Sequence, residues 1–221
     1  LYLFISILLA AGWLILHKKK SLKESIKFIF NPKVFFSKSA TSDYKVFFIN
    51  QVIMLLISPH LLTQITIATA LYFFFFEINF IDMGLFATAP KYLIISLFTL
   101  THFVVDDFSK YIVHRWMHRW PFLWALHKVH HSATNLTPMT VFRTHPLEGL
   151  VFTLRSAFAQ GLTISTFVYL FGGGVDLYTV LGANLFVFLF NVFGSNLRHS
   201  HIGIRYWNCL LYTSPSQRDE L

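Results

Sequence analysis

Five histidines stand within eighteen residues, HRWMHRWPFLWALHKVHH (114–131), in a chain of which only 13% is charged. His114 and His118 are four apart and His127 and His131 repeat the spacing, so each pair shares one helical face; His130 adds a third imidazole to the second group. A lone histidine near the end of a membrane helix decorates the interface, but HxxxH followed nine residues later by HxxHH asks for more. Ionised imidazoles so close together repel, and buried neutral ones need partners. A metal ion meets both demands. All-nitrogen ligation suits Fe, Zn, Cu or Ni, and spacing selects none of them. His145, His199 and His201 are three further candidates. More than four ligands exceed a four-coordinate site, so two ions are the economical count. Asp107, Tyr111, His114 and His118 follow i, i+4, i+7, i+11, which sets a carboxylate and a phenol on the face of the first pair, where a ligand needs an acceptor to fix its tautomer.

Other chemistries find less support. The single cysteine, Cys209, excludes an intramolecular disulfide framework and a multi-thiolate metal site. Ser132 and Ser200 adjoin histidines without a nucleophile elbow. Gly172–Gly174 precedes no Gly-Lys-Ser/Thr and reads as a turn, not a phosphate loop.

The elements that must position the histidines are apolar. The chain of 221 residues is 55% hydrophobic with 26 Phe, and several windows approach the roughly 20 residues that cross a bilayer. The net charge of +8 is scattered between apolar runs, which favours anionic lipid headgroups over nucleic acid. Residues 1–16 end in His17-Lys18-Lys19-Lys20 and read as a membrane helix with a basic stop rather than a signal peptide. Residues 21–45, basic with scattered aromatics, suggest an interfacial helix or loop, and the basic flank 17–45 is expected to grip anionic lipid, with docking of an acidic electron carrier as the alternative. Residues 44–57 are expected to be largely interfacial and 60–78 to cross, with Pro59 near the start. Residues 91–113 are helical in period and lead into the histidines, with Pro121 separating two helices. Two further apolar runs, 149–171 and 177–197, flank Gly172–Asp176. Basic residues at 18–45 and 114–145, with Arg198 and Arg205, assign those segments to the cytoplasmic side and the loops 77–90 and 172–176 to the other. The expectation is an all-α polytopic membrane protein with about four or five transmembrane helices and a cytosolic histidine-rich helical cap. Residues 1–90 form its membrane and basic interfacial region, and 91–221 the domain that bears the histidine groups. Trp116, Trp120 and Trp124 read as interface anchors, and Phe and Leu from 91–105 and 150–195 as the lining of an apolar pocket.

HRWMH (114–118) with its lead-in DDFSKYIV, HKVHH (127–131), RTHPLE (143–148) and NLRHSHIG (196–203) occur in an order that resembles the membrane-bound fatty acid hydroxylase and sterol desaturase superfamily, over roughly 91–215. The resemblance implies a cytosolic cap with a histidine-ligated di-iron centre that activates O2 and oxidises a lipid C–H bond. It implies His114 and His118 as ligands of the first box, His127, His130 and His131 of the second, and His145 and His199 as the single histidines after them. His201 stands where many relatives have Asn, as a ligand, an outer donor or a merely polar residue. Glu148 either orients a ligand or pairs with Arg143, and Asn196 is an expected outer partner. The superfamily places a final HxxHH box soon after a segment like LYTSPSQ (211–217); here RDEL follows, so that box is expected to be missing or to lie in an unseen segment. RDEL itself resembles an ER-retrieval tail.

Unactivated C–H bonds have no acidic proton, so acid-base side chains cannot attack them, whereas a redox metal with O2 can. Hydroxylation of an acyl or alkyl membrane lipid is the favoured reaction, with cytochrome b5 or a ferredoxin and its reductase as electron donor and no nucleic acid partner. Desaturation of a sterol or other lipid would use the same ligands. A metal transporter would set histidines near the bilayer midplane, and a non-catalytic scaffold would need the last box to be truly absent. The expected location is the endoplasmic reticulum in a eukaryote or the inner membrane in a bacterium, with the catalytic face cytoplasmic.

Overall fold

A computed structural model describes residues 2–57, 63–78, 81–135, 137 and 139–194. Among the described residues there are nine α-helices and no strand: α1 (Tyr2–Lys18), α2 (Leu22–Ile29), α3 (Pro32–Phe35), α4 (Lys38–Ile57), α5 (Gln64–Ile78), α6 (Lys91–Arg119), α7 (Pro121–His131), α8 (Pro146–Phe171) and α9 (Leu177–Gly194). Among the described residues they form two compact units, one drawn from residues up to 57, 116–148 and 190–194, the other from 63–115 and 149–189. The boundary cuts the continuous helix α6 after Arg115.

In the first unit, α1 and α2 make a hairpin. Lys19 takes the left-handed conformation (φ 51°), and the Lys20 N–H reaches back to the Leu14 carbonyl, which ends α1 within one turn. Ser21 then opens α2 with a capping box: the Glu24 carboxylate accepts from the Ser21 N–H at 2.9 Å, and Ser21 Oγ accepts from the Glu24 N–H at 3.3 Å. Ala10, Leu14 and Ile29 bury the seam between the two helices. The other side of α2 exposes Leu22, Ile26 and Phe30 at four-residue intervals, with Lys23 and Lys27 alongside. Of residues 21–45, expected as a helix or loop, the first part folds as the short helices α2 and α3 and residues 38–45 begin the 20-residue α4.

Length distributes differently from expectation in the next stretch. α4, at 20 residues, and α6, at 29, are the two described helices long and apolar enough to cross a membrane. α5 has 15 residues, or about 22 Å of helix, against a hydrocarbon core of about 30 Å. α4 nevertheless carries a polar load: Asp43, in its second turn, is fully buried, and Asn50, past its middle, donates through Nδ2 to the Thr144 carbonyl at 2.8 Å.

The second unit packs around Ile94, Phe98, Phe167, Phe171 and Ala183, with Phe98 edge-on to Phe167 at 5.3 Å. Gly161 lets α5 approach α8: a Cβ there would stand 2.9 Å from Ile67 Cγ2 and 3.0 Å from the Gln64 carbonyl. A buried ion network ties α6 to α8, with Arg155 Nη1 2.9 Å from Asp106 Oδ1 and 2.7 Å from Ser109 Oγ, and Lys110 3.1 Å from the same aspartate. At one end of this unit the segment 81–90 binds the last turn of α8, and the start of α6 binds the turn 172–176. Gly84 and Phe86 donate backbone N–H groups to the carbonyls of Tyr169 and Leu170. Lys91 grips the Gly174 carbonyl at 2.8 Å and Asp176 at 2.9 Å.

Candidate metal centre

α6 continues past its apolar part for long enough to present His114 and His118 one turn apart. Trp120 then breaks the helix in extended backbone, Pro121 occupies the first position of α7, and the chain starts again toward His127, His130 and His131. This turn brings the pairs together. Among the described residues, His114, His118, His127 and His131 are a group whose ligand atoms all lie within 4.8 Å of one another. The rings of His118, His127 and His131 stand 4.8 Å apart pairwise, at interplanar angles of 77°, 78° and 72°, each nearly perpendicular to the other two.

The tautomer is set by a carboxylate. Glu148, 2% exposed, lies in the first turn of α8 and accepts from His127 Nδ1 at 2.8 Å, both side chains being almost wholly covered. His127 therefore keeps its Nε2 lone pair for the cluster, and His131 Nε2 stands 3.1 Å from it. Two nitrogens at that separation can each stand about 2.1 Å from a shared ion, the usual metal–imidazole distance. Four neutral-nitrogen donors, one of them oriented by a buried carboxylate, fit a transition metal.

The remaining expected residues fall in several places. His130 is buried beside His127, ring centroids 5.5 Å apart, outside the four-donor group. His145 accepts from the Leu147 N–H through Nδ1 at 3.2 Å, so it caps α8 with its ring proton on Nε2 and would release that cap to bind a metal; it too is outside the group. Glu148, open between two roles in the sequence, orients His127, while Arg143 pairs with Asp43 at 2.9 Å. Asp107 is buried on α6, and the Tyr111 hydroxyl accepts from Arg115 at 3.2 Å. His199, His201 and Asn196 lie outside the described residues, as do His60 and Cys209.

Sequence reasoning missed two contributors. Trp124, read as an interface anchor, is half-buried with its ring 5.5 Å from His118 and 5.4 Å from His131, forming an apolar wall of the cluster. Trp116 and Trp120, stacked on each other at 5.3 Å, do stay exposed. The position of Trp124, three residues before His127, could have flagged it. Asp43, fully buried and holding Arg143, had no signal in the sequence beyond being an acid in a basic stretch. An apolar groove of about 370 Å³ lies between α5 and α8, lined by residues such as Ala68, Tyr72, Phe73, Ile164 and Val168. It shares α8 with the expected pocket lining but draws on α5 instead of 91–105.

Residues 99–219 match the model of the fatty acid hydroxylase family, and this chain belongs to that family. It is 36% identical over 73 residues to a Delta(7)-sterol 5(6)-desaturase of Eremothecium gossypii, covering 33% of this chain and 20% of that protein. Over 133 residues it is 29% identical to a Dictyostelium discoideum protein provisionally named a methylsterol monooxygenase, covering 57% of this chain and 45% of the relative. The chain thus spans less than half the length of either. No solved structure matches it.

Proposed function

We propose that this chain carries out O2-dependent oxidation of a C–H bond in a membrane lipid, hydroxylation of an acyl or alkyl chain first among the options, at a histidine-ligated di-iron centre. The observation that carries the reading is the convergence of two HxxxH pairs on one point, with His127 held by buried Glu148. His114, His118, His127 and His131 would hold metal, with His130, His145, His199 and His201 as the further ligands of a two-ion site and Asp107, Tyr111, Glu148 and Asn196 as their outer partners. When bound, a pair of irons supplies the reduction of O2 that an unactivated C–H bond requires. Glu148 keeps the His127 proton on Nδ1, and Trp124 covers the rings of His118 and His131 against water. The apolar helices hold the lipid.

The architecture that goes with this reading is a polytopic bundle of four or five crossings. Residues 1–90 form its membrane and interfacial part, and 91–221 the catalytic domain, whose cap faces the cytoplasm of an endoplasmic reticulum or bacterial inner membrane. Electrons come from cytochrome b5 or a ferredoxin with its reductase. A second reading, oxidation or desaturation of a sterol, has its own support, since both curated relatives carry sterol enzymes' names. Full chain purified in detergent, given O2, an electron donor and a mixture of acyl lipids and sterols, separates them by mass spectrometry. Gain of one oxygen by an acyl or alkyl lipid is the expected result. Sterol turned over alone moves the substrate assignment to the second reading, and no product from iron-loaded protein overturns both.

A further inference from the structure

The 2.8 Å contact between His127 and Glu148 requires α7 and the start of α8 to be placed together. Residues 132–145 separate them, and those described are non-helical or 3₁₀. That stretch is tied down at several points to one helix, α4. Arg143 Nη1 donates to Asp43 Oδ1 at 2.9 Å, and Thr140 Oγ1 donates to the other oxygen of the same buried carboxylate at 2.8 Å. Ser39 Oγ accepts from the Thr134 N–H at 3.1 Å. Asn50 Nδ2 donates to the Thr144 carbonyl, next to His145. Arg143 also reaches the end of α7: its Nε donates to Ser132 Oγ at 3.1 Å, and that hydroxyl donates to the Val129 carbonyl at 2.7 Å. The guanidinium thus sits at the C-terminal end of α7, where a cation complements the exposed carbonyls.

We propose that Asp43 and Arg143, with Ser39 and Asn50, form a polar strap that positions the histidine cluster. The strap sets the last turn of α7 and the first turn of α8 from a common support on α4. Asp43 and Arg143 touch no ligand nitrogen; they act through Ser132 and Thr140, and Asn50 acts through Thr144. Burial makes the pair specific. Asp43 is fully covered and the Arg143 side chain is 14% exposed, so a partner lost on either side leaves an uncompensated charge. A planar fork is needed, because one guanidinium serves Asp43 through Nη1 and Ser132 through Nε, which an ammonium cannot do from the same place.

The inference rests on the metal reading above, and cobalt(II) titration of the full chain in detergent tests the two separately, with affinity and visible ligand-field bands as readouts. Arg143→Lys keeps the charge and loses the fork. It is expected to weaken cobalt binding about tenfold and to shift the bands, with helix content and elution volume unchanged. Ser132→Ala keeps the buried pair and is expected to weaken binding roughly threefold, the worth of one hydrogen bond, with a smaller band shift. Wild-type affinity and an unchanged spectrum in both variants would overturn the strap while leaving the metal reading intact. If Arg143→Lys does not fold, Ser132→Ala decides on the same criterion. A wild-type chain that binds no cobalt overturns the metal reading, and the strap with it.

Discussion

A carboxylate that meets a buried imidazole at 2.8 Å decides which ring nitrogen is left to work. Glu148 does this for His127 from the first turn of α8, where a negative charge is also favoured by the helix dipole. Glu148→Ala should therefore weaken metal binding by about ten- to a hundredfold, with Glu148→Gln between it and the wild type. A chelator competition titration measures this, and equal affinities in all three proteins would remove Glu148 from the centre. The histidine pairs were legible because helical periodicity dictates that i and i+4 share a face. The same periodicity turns His130 about 100° away from His131, which accounts for its place outside the four-donor group. Glu148 could not be assigned from spacing, since Arg143 stands in the same short segment. The choice was made by Asp43, a residue a hundred positions away that takes the arginine.

At the scale of elements, apolar runs and glycine turns gave α6, α8 and α9 nearly as they stand. The α1–α2 hairpin was less visible, because it depends on Lys19 entering a left-handed conformation for which lysine gives no signal. Lengths were harder still: α4 is the longer helix and α5 the shorter, since the polar residues of α4 are absorbed by partners far along the chain. The end of the second unit carries a pH prediction. Lys91 donates to Asp176, and the Thr179 N–H and hydroxyl add two more bonds, holding this carboxyl well below its usual range. A depressed carboxylate stabilises the fold above its unfolded pKa, about 3.9, and that contribution fades as pH falls from there through the folded value. The clamp is solvent-exposed, so its effect is modest. The Tm difference between wild type and Asp176→Asn should stay constant from about pH 5 to pH 8 and shrink below about pH 4. A difference already gone at about pH 6 would contradict the clamp.

For the whole molecule, two independent lines meet. Family membership rests on residues 99–219, while the clustering of histidines rests on how α6 and α7 are joined. The all-helical character and the order of the histidine boxes were readable from the chain because apolar composition and imidazole spacing leave few alternatives. The groove between α5 and α8 was not, since it arises from the close approach allowed by Gly161 and not from any run of residues. The central claim is that the pairs from α6 and α7 share one metal centre. Iron per chain, measured by plasma mass spectrometry on purified full chain and on His114→Ala and His131→Ala, tests it most directly. The account predicts about two irons in the wild type and the loss of at least one in each variant, whichever helix the alanine sits on. Wild-type iron content in either variant would contradict it.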